Sequence, residues 1–387
     1  MITNTGWGGM TMQMGSGRGL RPTWYEIDLG AVRHNVRELR RLVGPGVAIY
    51  ACLKRNAYGC GAAPVSRACV EAGADGLAVG NIDDAVAIRA AGIAAPILLY
   101  PTCLPDVARQ VELLDLIPSV STVEEAAAWD AALTRPRKVF LKVDVGLLRG
   151  GATAAEFPLL LDRLPHLPNL ECAGLYGHFF SYGASGAPGH YPRQFVRMQA
   201  AVEAARAAGV AVPIAMVSST NAVLDHPEMD LTGVDPGRLL YGLAGSDSPA
   251  RRGTFRPALA AFKTRLLIRK AVGPDDADGE APPFLPRPGM TIGILPIGWG
   301  DGLPRSFPAG AGVLVRGRKV PVLGPVHLEH TRIDLTDCPE ARPGDEVVLV
   351  GRQGTAEIPL AACAAAWGID ETTFHGQMRD HVPRVYL

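Results

Sequence analysis

The chain lacks the marks of a nucleic-acid or membrane protein. Its 38 lysines and arginines equal its 38 aspartates and glutamates, so no net charge steers it toward a polyanion or an anionic bilayer. No apolar run reaches the roughly 18 residues that a membrane helix needs. The seven cysteines, at 52, 60, 69, 103, 172, 338 and 363, include no C-x-x-C pair, and their odd number predicts reduced thiols in a cytoplasmic protein. The opening stretch MITNTGWGGMTMQMGSGRG has neither the basic region nor the apolar run of a signal peptide; it reads as a loose extension over 1–22. No G-x-G-x-x-G turn follows the first apolar strand, which argues against a dinucleotide fold. Residues 242 to 385 contain no tyrosine.

What is present points to a large buried core. The 387 residues are 48% apolar, which suggests about two domains. From about residue 24, short apolar runs (Val47 to Leu53, GLAVG, PILLYP, LIPSV, KVFLKVDV, CAGLYGHF) alternate with amphipathic stretches such as Pro64 to Ala72, DDAVAIRAAG, TVEEAAAWDAAL and PRQFVRMQAAVEAARAAG. Buried strands alternating with helices make βα units and a parallel sheet. Six or more units over about 220 residues fit a (β/α)8 barrel better than a doubly wound sheet. Near Pro249 the texture changes to strand-like runs: AAFKTRLLIRKAV, MTIGILPIG, GVLVRGRKVPVLG, TRIDLT and DEVVLVG. GPDDADGEAPPFLPRPG, acidic and proline-rich, reads as a long surface loop. The expected fold is α/β, an N-terminal TIM-like (β/α)8 barrel over 23–248 followed by a mainly antiparallel, β-rich domain over 249–387.

The segment Ala51-Cys52-Leu53-Lys54-Arg55-Asn56-Ala57-Tyr58-Gly59 is the richest in chemistry. A lysine ending a barrel strand points into the mouth where active sites form, and partial desolvation there favours the neutral amine that a Schiff base needs. By spacing alone it reads rather as a lysine whose head reaches solvent. KRNAYG, however, resembles the K-A-N-A-Y-G signature of the alanine racemase family, whose lysine carries pyridoxal 5′-phosphate (PLP). The resemblance runs from about Trp24 to Tyr386, through WYEIDLGAVRHNV, KVDVGLLRGG, GLYGHF, VDPGRLLYG, PIGWGDGLPR, VLGPVHLEHTRIDLT and HVPRVY. It implies a PLP barrel plus a β-domain, an amino-acid substrate, and a head-to-tail homodimer in which each site is completed by the partner's β-domain.

Carried over by residue, the resemblance makes Lys54 the PLP-bearing lysine and one of two catalytic bases. Tyr58, Thr220 and the backbone N–H groups of Gly237 and Arg238 would hold the phosphate. His178 would pack against the pyridine ring, although a histidine satisfied at a strand end has the same position. Arg149 would act near the substrate and the cofactor's phenolate oxygen; Lys142 matches a lysine carbamylated in some members; Trp299 replaces a tyrosine at the substrate entrance.

Four departures bear on mechanism. Asp235 stands where the family has an arginine beside the pyridine nitrogen, and Met216 where a histidine supports that arginine. A buried aspartate stabilises a protonated ring nitrogen, which strengthens the electron sink, whereas an arginine leaves that nitrogen unprotonated. A surface aspartate in a turn before Pro236 is the alternative. The family's second base, a tyrosine, is missing from the β-domain, so a two-base reaction needs another group. His327-Leu328-Glu329-His330 is unlike the family loop that reaches the partner's site; His327 is the first candidate base and His330 the second, with metal binding or plain surface polarity as alternatives. Asp380 replaces an aromatic residue and is expected to pair with an arginine. Three functions stay open on these residues: an amino-acid racemase or epimerase, a lyase or transferase acting on a small amino acid through the same carbanion (aldol cleavage, hydroxymethyl transfer, decarboxylation), or a PLP carrier.

Overall fold

The structure, a computed structural model, describes residues 21–180, 190–217, 219–243, 253–276, 284, 286–308 and 310–387. Most of the expected N-terminal extension (1–20) and much of the acidic, proline-rich loop (277–283 and 285) lie outside these residues. Two compact units divide the chain. One holds Asp28–Ala260 and Leu360–Met378, and the other Met1–Ile27, Ala261–Pro359 and Arg379–Leu387.

Strand β1 (Trp24–Ile27) opens the chain and belongs to the second unit. The first unit is a barrel closed by eight parallel strands: β2 (Ala48–Cys52), β3 (Gly76–Val79), β4 (Ile97–Leu99), β5 (Leu116–Val120), β6 (Arg137–Lys142), β7 (Leu170–Tyr176), β8 (Ile214–Met216) and β9 (Gly233–Val234). β9 pairs back to β2 through Gly233–Ala48 and Val234–Ile49, which closes the ring. The strands are near-continuous apolar runs because both faces are covered. Tyr50, Ala78, Leu98, Ile117, Phe140, Tyr176 and Met216 form the packed interior. Alternation puts the buried neighbours Leu77, Leu99 and Leu141 on the opposite, helix-covered face. Each such buried side chain contributes on the order of 2 kcal/mol. Gly174 is glycine because a Cβ there would strike the Phe140 ring that fills the interior.

The helices begin where the sequence supplies side-chain acceptors. Asp28 accepts from the Ala31 N–H at the head of Leu29–Val43, Asn81 from the Asp84 N–H at Ile82–Ala90, and Thr122 from the Glu125 N–H at Val123–Ala132. Each cap stabilises its helix by about 1 kcal/mol.

The second unit is a mainly antiparallel sheet. Its strands are β1, β10 (Leu259–Arg265), β11 (Ile268–Val272), β12 (Met290–Leu295), β13 (Gly312–Val315), β14 (Arg318–Leu323), β15 (Thr331–Asp334), β16 (Glu346–Gln353), β17 (Ala356–Ile358) and β18 (Arg384–Tyr386). Their order is β11-β12-β15-β14-β13-β16-β10-β1-β18, with β17 beside β16. Arg316 and Gly317, both at positive φ (50° and 77°), make the two-residue turn between β13 and β14.

Several expectations are corrected. Trp24–Ile27 is not barrel sequence: it pairs in parallel with β18. The run AAFKTRLLIRKAV is two strands, because β10 pairs with β16 while β11 pairs with β12; the buried Leu266 sits at the break and donates its N–H to Asp345 O. Two helices, Leu360–Ala366 and Glu371–Gln377, come between β17 and β18 and belong to the barrel's compact unit. Their alanine and short length hid them from a reading tuned to strands. No helix among the described residues is long and apolar enough to cross a membrane.

Candidate functional site

The C-terminal ends of the barrel strands surround a cavity of about 600 Å³. Lys54 lies just past β2, Tyr100 just past β4, Lys142 at the end of β6, His178 just past β7, Thr220 beyond β8 and Asp235 directly after β9. Six strand ends thus bring together residues as distant in sequence as Lys54 and Asp235.

The segment after Lys54, RNAYG, is a left-handed turn. Arg55, Asn56, Ala57 and Tyr58 have φ of 55°, 54°, 53° and 53°. Four consecutive side-chain-bearing residues in this region cost roughly 1–2 kcal/mol each, so the surroundings must hold them. Asn56 N–H donates to Asp84 Oδ2 (3.0 Å), and Asn56 Oδ1 accepts from Ala62 N–H (2.7 Å). His375 meets the Tyr58 carbonyl through Nδ1 at 3.0 Å, which requires the proton on Nδ1. Burial pushes the His375 imidazole down to about 4, so it is neutral near pH 7. The turn sends both Lys54 and Tyr58 into the same cavity.

Around Tyr58 the cavity wall is closely packed. The Tyr58 ring packs on Tyr241 (4.7 Å between centroids), whose hydroxyl donates to Cys52 O at 3.0 Å. Gly237 lies so close that a Cβ there would collide with the Tyr58 hydroxyl. Ser219, Thr220 and Arg238 line the same cavity.

Elsewhere the cavity is cationic around one buried acid. Asp235 is 6% exposed and accepts from the Tyr100 hydroxyl at 2.9 Å. It is therefore not the surface aspartate that a turn before proline allowed. Lys54 Nζ stands 5.2 Å from the Tyr100 ring centroid and Lys142 Nζ 5.1 Å from that of Tyr176. Burial first, then the Arg149 guanidinium, pulls the Lys142 amine down to about 8. Burial, then the cations Lys54, Arg149 and Lys142, holds His178 down at about 3, so its ring is neutral. Arg149 itself is exposed at the rim.

Lys54, Tyr58, Arg149, His178, Thr220, Asp235, Gly237, Arg238 and Lys142 all line this cavity. Met216 fills the barrel interior as an apolar side chain. His327, Glu329 and His330 belong to an exposed loop before β15, where His327 N–H donates to His330 O (2.9 Å). Trp299 N–H donates to His327 O, and Trp299 carries the Arg305 guanidinium 5.0 Å above its ring. Among the described residues no group of three or more histidines, cysteines or acids could hold a metal ion. Asp380 is exposed and pairs with Arg384 at 3.5 Å. Cys52, Tyr100, Tyr176, Ser219 and Thr372 are among the lining residues that sequence reasoning missed. Tyr100 stands just past β4, a position that strand-end reasoning places at the mouth, but nothing in the run PILLYP marks its bond to Asp235.

The alanine racemase N-terminal domain matches residues 27–245 and the alanine racemase C-terminal domain residues 261–386. The chain belongs to the alanine racemase family. It is 35% identical to the alanine racemase of Halothermothrix orenii over 87% of this chain and 89% of the relative. It is 33% identical to that of Desulfovibrio desulfuricans, over 95% and 98%. The crystal structure of alanine racemase from Bacillus anthracis with bound L-Ala-P superposes with a TM-score of 0.86 at 28% identity, covering 95% of this chain and 96% of the other. Family membership does not remove this chain's own features. The Asp235 carboxylate with its tyrosine donor and the absence of tyrosine from 242 to 385 stand within the family fold.

Proposed function

We propose that the chain is a PLP-dependent amino-acid racemase in which Lys54 removes the substrate's α-proton. The observation that carries this is the convergence on one cavity of the Lys54 amine, the Tyr58–Gly237–Thr220 cradle and the buried Asp235 carboxylate.

The residues fit the cofactor on two counts. The absence of a side chain at 237 leaves the cradle open, and hydroxyls from Tyr58 and Thr220 with backbone N–H groups of Gly237 and Arg238 suit a phosphate dianion. The buried carboxylate of Asp235 suits a protonated ring nitrogen. When bound, PLP supplies a ring that stabilises negative charge on the substrate's α-carbon. Lys54 holds the cofactor between turnovers and takes the α-proton from one face. His178, being neutral, offers a packing face without adding positive charge. Arg149 brings a cation to the rim, suited to a substrate carboxylate.

A proton must return on the other face. In a head-to-tail homodimer with shared sites, that role falls to His327 of the partner subunit, with His330 of the partner subunit as second choice. Their exposed loop and the missing tyrosine support this assignment. The balance of charge and the free thiols support a cytoplasmic setting.

Purified protein supplied with PLP and a single enantiomer of alanine or another small amino acid tests the reading by chiral chromatography. The opposite enantiomer accumulates if it is correct. Release of an aldehyde or of carbon dioxide instead would assign a lyase. Activity unchanged in His327→Ala and in His330→Ala would remove the proposed second base.

A further inference from the structure

We infer that Tyr100 is a positioning residue: its hydroxyl keeps the Asp235 carboxylate ionised and aimed, and so holds the proton on the cofactor's ring nitrogen. This rests on the reading of PLP as the bound group.

The observations are local. The Tyr100 hydroxyl donates to Asp235 Oδ2 at 2.9 Å, and that carboxylate is 6% exposed. Tyr100 packs against the barrel interior formed by Leu98, Tyr176 and their neighbours. Its backbone is pinned, since Tyr100 N–H donates to Val79 O (3.0 Å) and Tyr100 O accepts from Thr102 N–H (2.7 Å). Burial, then the Asp235 charge, raises the Tyr100 phenol well above its ordinary value, so the donor keeps its proton.

A hydrogen bond donated to a carboxylate favours the ionised form and lowers its basicity. Between a carboxylate and a ring nitrogen that share one proton, lower carboxylate basicity leaves the proton on nitrogen. Removing the donor makes the oxygen the better base, and the proton moves toward it. Asp235 alone is thus half of the device; an aspartate without the tyrosine would hold the nitrogen's proton less firmly.

The test uses PLP labelled with ¹⁵N in the ring and the full-length protein. Borohydride reduction followed by peptide mass spectrometry first establishes a PLP adduct on Lys54 in the parent. Absence of that adduct would overturn both this inference and the proposed function. With the adduct present, the ring-nitrogen resonance of Tyr100→Phe is expected to move from the parent's position toward that of Asp235→Asn. A parent-like resonance in Tyr100→Phe overturns the inference and leaves the proposed function standing. 3-Fluorotyrosine at position 100, a stronger donor of nearly the same shape, is expected to shift the resonance away from the Asp235→Asn position. A shift in the same direction as Tyr100→Phe would mean disturbed packing rather than hydrogen bonding, and would also overturn the inference.

Discussion

Lys142 offers a quantitative check on the electrostatics of the mouth. It is 7% exposed, and its amine is drawn down from 10.5 to about 8 by burial and then by Arg149. At pH 7 about one amine in ten is then neutral, roughly 300-fold more than for an ordinary lysine. Replacing Arg149 by glutamine removes the neighbouring cation. With burial left as the main cause, the midpoint should rise by about one unit, which is about 1.4 kcal/mol and about tenfold less neutral amine at pH 7. The assay is acetylation of Lys142 as a function of pH, quantified by mass spectrometry on protein without cofactor, with the exposed Lys138 as internal reference. Because access alters rates and not midpoints, the inflection is the readout. The linkage has a definite sign. A lysine whose folded value is depressed favours the folded state above its unfolded value, and that stability is lost as pH falls through about 8. Resistance to urea should therefore rise between about pH 8 and 10.5, by roughly 3 kcal/mol at most from this group. A Lys142 inflection near 10.5, or one that Arg149→Gln leaves in place or lowers, would refute the reasoning.

Lys54→Ala should abolish the borohydride-fixed PLP adduct, read by peptide mass; an adduct retained at another lysine would show that Lys54 is not the anchor. Gly237→Ala should weaken PLP binding at least tenfold, because the new Cβ collides with the Tyr58 hydroxyl; fluorescence titration measures it, and unchanged affinity would show the cradle is placed wrongly. Tyr241→Phe strips the buried Cys52 carbonyl of its 3.0 Å donor and should cost about 1–3 kcal/mol of stability in urea melts, with no loss meaning that water replaces the hydroxyl. The His178 ring should stay neutral down to about pH 4, seen in its Cε1–H chemical shift; a midpoint above 6 would contradict the crowding of cations around it.

The barrel was legible because its strands are short apolar runs between amphipathic helices, a pattern with two distinct periods. The β-rich second unit was legible from strand runs separated by glycine and proline. Trp24–Ile27 misled, since a strand four residues long carries no label for the sheet it joins, and its partner β18 lies at the far end of the chain. The left-handed turn at 55–58 was invisible in propensity: no glycine marks those four positions, and the hydrogen bonds that hold them come from Asp84, Ala62 and His375. Lys54, Tyr58, Thr220, Asp235, Gly237 and Arg238, which line one cavity, were singled out through motifs. Tyr100 was not, because its meaning depends on a 2.9 Å contact with a residue 135 positions away.

In the proposed reaction Lys54 exchanges the α-proton of an amino acid. Incubation of the PLP-loaded protein with one enantiomer of alanine in D₂O, followed by chiral separation and mass spectrometry, tests it most directly. α-Deuterium is expected in the newly formed enantiomer, and none with Lys54→Ala. Recovery of the starting enantiomer alone, without deuterium, from the intact protein and from every small amino acid tried would contradict it.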